Sequence, residues 1–258
     1  MKKNFRDLLN SGKKVVGTMM HLPCPEIVEI LAFSGYDYVV LDTEHSPATY
    51  EQTVNMIRAA DSAGLACLVR VPVISEDAIK KVLDMGCSGI KVPTVSTVEE
   101  AKLVVKHAKY APLGSRGACP FVRANRYGCN ENNKAFYKRE NENIVLSLNI
   151  EGPEGVKNVA EIIGLEGVDA VSVGRMDLSV ALGIPGEVDH PSVKQAVKDV
   201  ARIAHENGKF AGVFLDRAED AAEFKDSPGV NHFLTTIPEE ILYAGYKKLR
   251  EDIRMQLR

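Results

Sequence analysis

The sequence predicts a single-domain α/β fold, a (β/α)₈ barrel of the TIM type, and three observations carry that prediction. Eight short apolar runs rich in β-branched residues recur along the chain. Amphipathic stretches of helical period separate them, at roughly 30 residues per unit, the size of one βα repeat. The length of 258 residues is that of a barrel built from eight such units. Strict alternation favours a closed parallel barrel over an open doubly wound sheet. No linker or low-complexity tract divides the chain, so residues 1–258 read as one domain.

The strand candidates come in order. They are Val15–Met20, Tyr38–Leu41, Ala66–Val69, Gly89–Val92, Ile144–Leu148, Ala170–Val173, Phe210–Val213 and His232–Thr235. Each is bounded by turn residues and apolar almost throughout, as suits strands buried on both faces. Between them, Pro25–Phe33 places Ile27, Val28, Ile30 and Leu31 at helical spacing, and Thr49–Ala63 does the same with Val54, Ile57 and Ala60. A third helix opens at Ser75, a capping residue followed by Glu76 and Asp77 in the first turn. Ser192–Asn207 stops at Asn207-Gly208, and a last helix runs from Pro238 to Leu257. Pro112–Asn133 is the longest loop. It follows the fourth strand-and-helix unit and should enter the fifth strand from the bottom of the barrel, the end that serves packing or a neighbouring subunit.

Composition excludes several function classes. A net charge of −3 with scattered basic residues gives no nucleic-acid footprint. No apolar run approaches a membrane span, and no apolar segment follows the charged start Met1–Asp7 to make a signal peptide. The five cysteines form no Cys-x-x-Cys pair. They read as reduced thiols of a cytoplasmic protein, serving mainly as small buried hydrophobes.

Barrel chemistry sits at the C-terminal ends of strands. Asp42, Glu44 and His45 follow the second apolar run, Arg70 the third, Asn149 and Glu151 the fifth, and Gly174-Arg175-Met176-Asp177 the sixth. Scattered surface charges would not sort themselves to one rim. Glu151 and Asp177 would meet above adjacent strands, where two carboxylates, waters and a chelating substrate suit a hard divalent ion such as Mg²⁺ or Mn²⁺. Helix capping is the competing reading for either residue alone. His45, oriented by Asp42 or Glu44, suits a general base near neutral pH. Arg70 can bind a carboxylate or an enolate oxygen. His21, just past the first strand, could line the rim; His107, His190, His205 and His232 read as helix-surface or cap residues. Lys91 stands inside an apolar run, where an amine is costly. A Schiff-base role is open to it, but pairing with a carboxylate inside the barrel is the preferred reading.

These segments resemble the HpcH/HpaI aldolase family, class II aldolases of the phosphoenolpyruvate/pyruvate barrel superfamily. Gly35–His45, Val69-Arg70-Val71-Pro72, Val82–Gly86, Gly114–Gly117, Asn149-Ile150-Glu151 and Val173-Gly174-x-x-Asp177-Leu178-Ser179 stand in the family's order over nearly the whole chain. The resemblance implies a divalent metal on Glu151 and Asp177, with Co²⁺ or Zn²⁺ as alternatives to Mg²⁺ or Mn²⁺. It implies His45, helped by Asp42, as general acid/base through a water. Arg70 would stabilise the enolate, and Gly174, Met176, Asp177 and Asn149 would surround the substrate. It also implies that Asp84 reaches a neighbour's active site in a hexamer, a trimer of dimers, whose last helix is exchanged between partners. The expected reaction joins or separates a pyruvate enolate and an aldehyde, with 4-hydroxy-2-oxo acids as substrates. Departures are Asn149 for the usual Gln, Arg175-Met176 for the usual Pro-Ala, Lys91 for an apolar residue, and the Cys119–Arg123 loop. Rival readings are a lyase of acyl-CoA or hydroxy-diacid substrates, a Schiff-base aldolase using Lys91, and a non-catalytic barrel.

Overall fold

Eight parallel strands close on themselves in sequence order. They are β1 (Val15–Met20), β2 (Tyr38–Asp42), β3 (Ala66–Arg70), β4 (Gly89–Val92), β5 (Val145–Ile150), β6 (Ala170–Val173), β7 (Phe210–Phe214) and β8 (Val230–Thr235). The last seam pairs Val15 with His232 and Thr18 with Thr235. This computed structural model describes residues 3–129 and 132–258. The start at Met1 and Lys2 and positions 130 and 131 of the long loop lie outside the described residues.

Alternation along each strand divides the apolar residues between two cores. Met19, Tyr38, Val40, Leu68, Val145 and Leu234 point into the barrel. Val39, Leu41, Val69, Ile90, Leu148 and Val171 point outward and pack under the helices. Both faces are covered, which is why the strands read as unbroken apolar runs. Phe5 fills the bottom of the barrel, its ring 4.7 Å from Tyr38 and 5.6 Å from His232. It belongs to a six-residue helix, Phe5–Asn10, that the sequence reading did not anticipate.

The helices start where capping chemistry says they should. Thr49 forms a capping box with Gln52, and Ser75 accepts from the Ala78 N–H. The chain after the long loop reaches the bottom of β5 only through an unanticipated helix, Asn133–Asn143, and the loop carries a 3₁₀ segment, Arg123–Gly128. Arg123 ties it down through the Met85 carbonyl and Asp61, at 2.8 and 2.6 Å. The terminal helix, Pro238–Gln256, buries only Pro238. The cysteine expectation holds for Cys67 and Cys87, which are buried, but not for Cys119 and Cys129, which are exposed. No helix among the described residues is long and apolar enough to cross a membrane.

Candidate active site

A cavity of about 290 Å³ opens at the C-terminal ends of the strands, at the lower limit of the size of small-molecule sites. It brings together Arg70, Asn149, Glu151, Gly174, Met176 and Asp177, and runs down to Lys91, Ser172 and His232.

The β2–β3 edge is an ionic cluster. Asp42 and Arg70 are register partners, and Arg70 Nε donates to Asp42 Oδ1 across 2.7 Å. Arg70 Nη1 also lies 3.2 Å from Glu44 Oε2. Burial works to raise the Asp42 pKa. The Arg70 guanidinium and the main-chain N–H groups of Glu44 and His45 outweigh it and hold the carboxyl below its usual value. Burial raises Glu44, with Arg70 and His45 opposing. Burial also works against the charge on Arg70, but Asp42 overrides it, so Arg70 stays a cation.

The expected Asp42–His45 pairing needs correction. Asp42 Oδ2 accepts the His45 main-chain N–H at 3.1 Å, whereas the imidazole facing that oxygen belongs to His21, at 3.2 Å. The His45 ring is 64% exposed, 3.8 Å from Glu44, and outside the cavity lining. His21 is further fixed because Glu239 Oε1 accepts its main-chain N–H and that of Leu22.

Glu151 is held by two hydrogen bonds. Asn149 Nδ2 donates to its Oε1 at 2.7 Å, and the Thr94 N–H donates to its Oε2 at 2.8 Å. Thr94 adopts φ 51°, a left-handed conformation unusual for threonine, to aim that N–H. Gly174 leaves room for the carboxylate: a Cβ there would lie 2.5 Å from Glu151 Cγ. Asp177 sits exposed in the first turn of the helix Arg175–Ala181. Arg175 clamps that turn to the end of β7 through the Phe214 carbonyl and Asp216.

Among the described residues, no three His, Cys, Asp or Glu side chains converge on one point. A metal here would take only Glu151 and Asp177 from the protein and leave the other positions to substrate and water. That all-oxygen donor set, with one carboxylate pre-oriented, fits Mg²⁺ or Mn²⁺.

Three further expectations change. Lys91 does not meet a carboxylate; its Nζ contacts Ser172 Oγ. His232 is no surface residue but lies 3% exposed inside the barrel, and burial lowers its pKa to about 3. Asn149 lines the cavity, yet its amide is committed to Glu151 and Ser172, so it positions Glu151. Asp84 closes the helix Glu76–Asp84 at the opposite end of the barrel, bound 2.6 Å from the buried Arg116. It therefore takes no part in this chain's own cavity. His190 is a helix cap as expected, accepting from the Ser192 N–H. Ser172, His232 and Thr94 were missed as site residues. Period-2 counting places Ser172 and His232 inside, but nothing local marks Thr94.

A parallel barrel whose cationic and acidic groups gather at one rim is laid out as a barrel enzyme. The profile of the HpcH/HpaI aldolase/citrate lyase family matches residues 18–230, so the chain belongs to that family. A 5-keto-4-deoxy-D-glucarate aldolase of Escherichia coli K12 is 34% identical over 220 residues, 85% of each chain. An HpcH/HpaI aldolase structure from Desulfitobacterium hafniense DCB-2 is 31% identical with a TM-score of 0.90, covering 98% of this chain and 97% of that one. The structure of the citrate synthase SbnG is also 31% identical, with a TM-score of 0.89 over 99% of both chains. This protein is accordingly a carbon–carbon lyase of the aldolase type, which sets aside the non-catalytic reading.

Proposed function

We propose that the cavity binds a pyruvate-type 2-oxo acid and makes or breaks its bond to an aldehyde, with 4-hydroxy-2-oxo acids as substrates. The convergence of Arg70, Glu151 and Asp177 on one cavity carries this reading. Glu151 and Asp177 would hold a divalent ion, Mg²⁺ or Mn²⁺ before Co²⁺ or Zn²⁺. When bound, the ion supplies Lewis-acid polarisation of the keto oxygen. Asn149 and Thr94 keep the Glu151 carboxylate in one orientation. Arg70 presents fixed positive charge where the enolate oxygen develops. Main-chain groups of Gly174, Met176 and Asp177 meet the substrate carboxylate.

In cleavage, His45 takes the C4 hydroxyl proton through a water, since its ring lies outside the cavity lining. The C3–C4 bond breaks, the aldehyde leaves, and the electron pair stays on the pyruvyl fragment as its enolate. The proton that His45 has taken up returns through the water to C3 and releases pyruvate, and synthesis is the reverse. Asp42 fixes Arg70 and His21, so His21 is a positioned neighbour of this machinery.

Assembly belongs to the same proposal. Ile241, Leu242, Tyr243, Tyr246, Leu249 and Ile253 leave an apolar surface exposed along the terminal helix, which suits its exchange between subunits. A trimer of dimers would then let Asp84 serve a partner's cavity. The compartment proposed is the cytoplasm.

Proton exchange at C3 of pyruvate in D₂O, followed by NMR, tests the enolate without knowledge of the aldehyde. Exchange should require Mn²⁺ or Mg²⁺, stop with chelator, and fall about 10²–10⁴-fold in His45→Ala. No exchange under any metal would sink the reading. The whole-chain match to a citrate synthase favours one second reading, bond formation or cleavage on an acyl-CoA or hydroxy-diacid substrate. Thiol release from acetyl-CoA with oxaloacetate, without pyruvate exchange, would select it.

A further inference from the structure

Lys91 is a group that this cleavage chemistry leaves idle. It stands in β4 with its side chain inside the barrel, 5% exposed, and it lines the lower part of the cavity. Donor and acceptor bookkeeping fixes its hydrogen-bond direction. A carboxylate oxygen only accepts, so the amide atom facing Glu151 Oε1 is Asn149 Nδ2. Asn149 Oδ1 therefore faces Ser172, whose hydroxyl donates to it at 3.0 Å. With its one proton committed, Ser172 Oγ can only accept from Lys91 Nζ. A neutral Lys91 amine bound this way spends an N–H on Ser172 and keeps its lone pair available.

The surroundings favour the neutral amine. Burial lowers the Lys91 pKa to about 7; Arg70 on β3 adds to the fall, and Glu151 beyond β5 opposes it. His232 on β8 is the other titratable neighbour, and it is neutral at pH 7. Two polar atoms of the barrel interior near Lys91 are unmet. Ser147 Oγ on β5, the register partner of Lys91, and His232 Nδ1 are both buried without a hydrogen-bond partner.

We propose that Lys91 is a nucleophilic amine that forms an imine with the carbonyl carbon of a 2-oxo acid in this cavity. The inference rests on the reading that the cavity admits 2-oxo acids. The Nζ lone pair bonds to the carbonyl carbon, and the C=O π pair moves onto oxygen. The two nitrogen-bound protons pass to that oxygen, which leaves as water, and a C=N bond remains. No electrons are gained or lost and no metal ion is consumed. The site thereby gains a second means of activating a carbonyl, independent of Glu151 and Asp177.

Borohydride trapping decides the matter. The full-length protein is incubated with pyruvate and excess EDTA, reduced with borohydride, digested, and mapped by mass spectrometry. The expected result is a reduced pyruvyl adduct concentrated on the peptide carrying Lys91. Lys91→Met, checked for folding by circular dichroism, should lose it. Absence of the adduct from Lys91 in the wild-type map, or equal labelling of surface lysines in both proteins, overturns the proposal. Pyruvate binding is measured in parallel by saturation-transfer NMR, in the same EDTA buffer and again with Mg²⁺. Binding without an adduct removes the imine alone. Neither binding nor adduct removes the 2-oxo acid reading as well.

Discussion

Arg70 Nε lies 2.7 Å from Asp42 Oδ1, and the Asp42 side chain is wholly shut off from solvent. Each charge is tolerable there only because of the other. The pair also joins the ends of β2 and β3 at the mouth of the cavity. Asp42→Ala should therefore strip the buried Arg70 Nε of its partner and leave Glu44 as the remaining counter-ion, at a cost of about 3 kcal/mol. Chemical denaturation measures it, and a loss below about 1 kcal/mol would show that water reaches the pair. Arg70→Lys keeps a charge but loses the fork that spans Asp42 and Glu44, so turnover should fall more than stability.

Gly174 has φ −75° and ψ 91°, a backbone any residue adopts. Its requirement is steric, because an added Cβ would lie 2.5 Å from Glu151 Cγ and 2.8 Å from Oε1. Gly174→Ala should push the carboxylate off the orientation that Asn149 and Thr94 impose. We expect Mn²⁺ affinity, read by electron paramagnetic resonance titration, to fall about 10–100-fold. The accompanying loss of stability should be about 1–3 kcal/mol. Unchanged Mn²⁺ affinity would remove Glu151 from the metal-holding role.

The barrel was legible because its signal is local. A strand covered on both faces is apolar whatever its neighbours, so runs such as Tyr38–Leu41 and Ala170–Val173 announce themselves. The helix Phe5–Asn10 was not legible, since six residues give too few turns for a period to show. Nor was Asn133–Asn143, which buries only Phe136. At the rim, strand-end position was enough to bring Arg70, Glu151 and Asp177 to one cavity. It could not distinguish His21 from His45 as the ring facing Asp42, because loop backbone beyond each strand decides where a ring points. Lys91 and Ser172 meet across the barrel interior, from strands whose relative level depends on register around the whole circle.

The terminal helix offers an independent check on assembly. Tyr246 is 71% exposed and Leu249 56%, on a helix that buries almost nothing in its own chain. Replacing both with Asp should leave the secondary structure of each barrel, read by circular dichroism, nearly unchanged, because few of its own contacts involve them. The same change should shift the mass in sedimentation to a smaller species. An unshifted mass would place the subunit contacts elsewhere.

Three buried bases, His232, Lys91 and Lys109, give stability a defined dependence on pH. His232 has its pKa lowered from 6.5 to about 3 by burial, with Lys91 adding to the fall. Below about pH 6.5 the unfolded chain takes up a proton at this ring and the folded chain does not. The stabilising contribution is therefore complete above 6.5 and is lost as pH falls toward 3, with a slope approaching ~1.4 kcal/mol per unit. Lys91, lowered from 10.5 to about 7, behaves the same way higher up: its contribution is complete above 10.5 and is lost as pH falls to 7. Unfolding followed at fixed pH values should show two separate limbs. Lys91→Met should remove the limb between 7 and 8, roughly halve its slope between 8 and 10.5, where Lys109, lowered to about 8 by burial, also contributes, and leave the acid limb. His232→Gln should flatten the limb between 6.5 and 3, since glutamine fills similar space without a proton to gain. An alkaline limb of unchanged slope in Lys91→Met would mean that Lys91 is solvated rather than held as a neutral amine, with Lys109 carrying the limb.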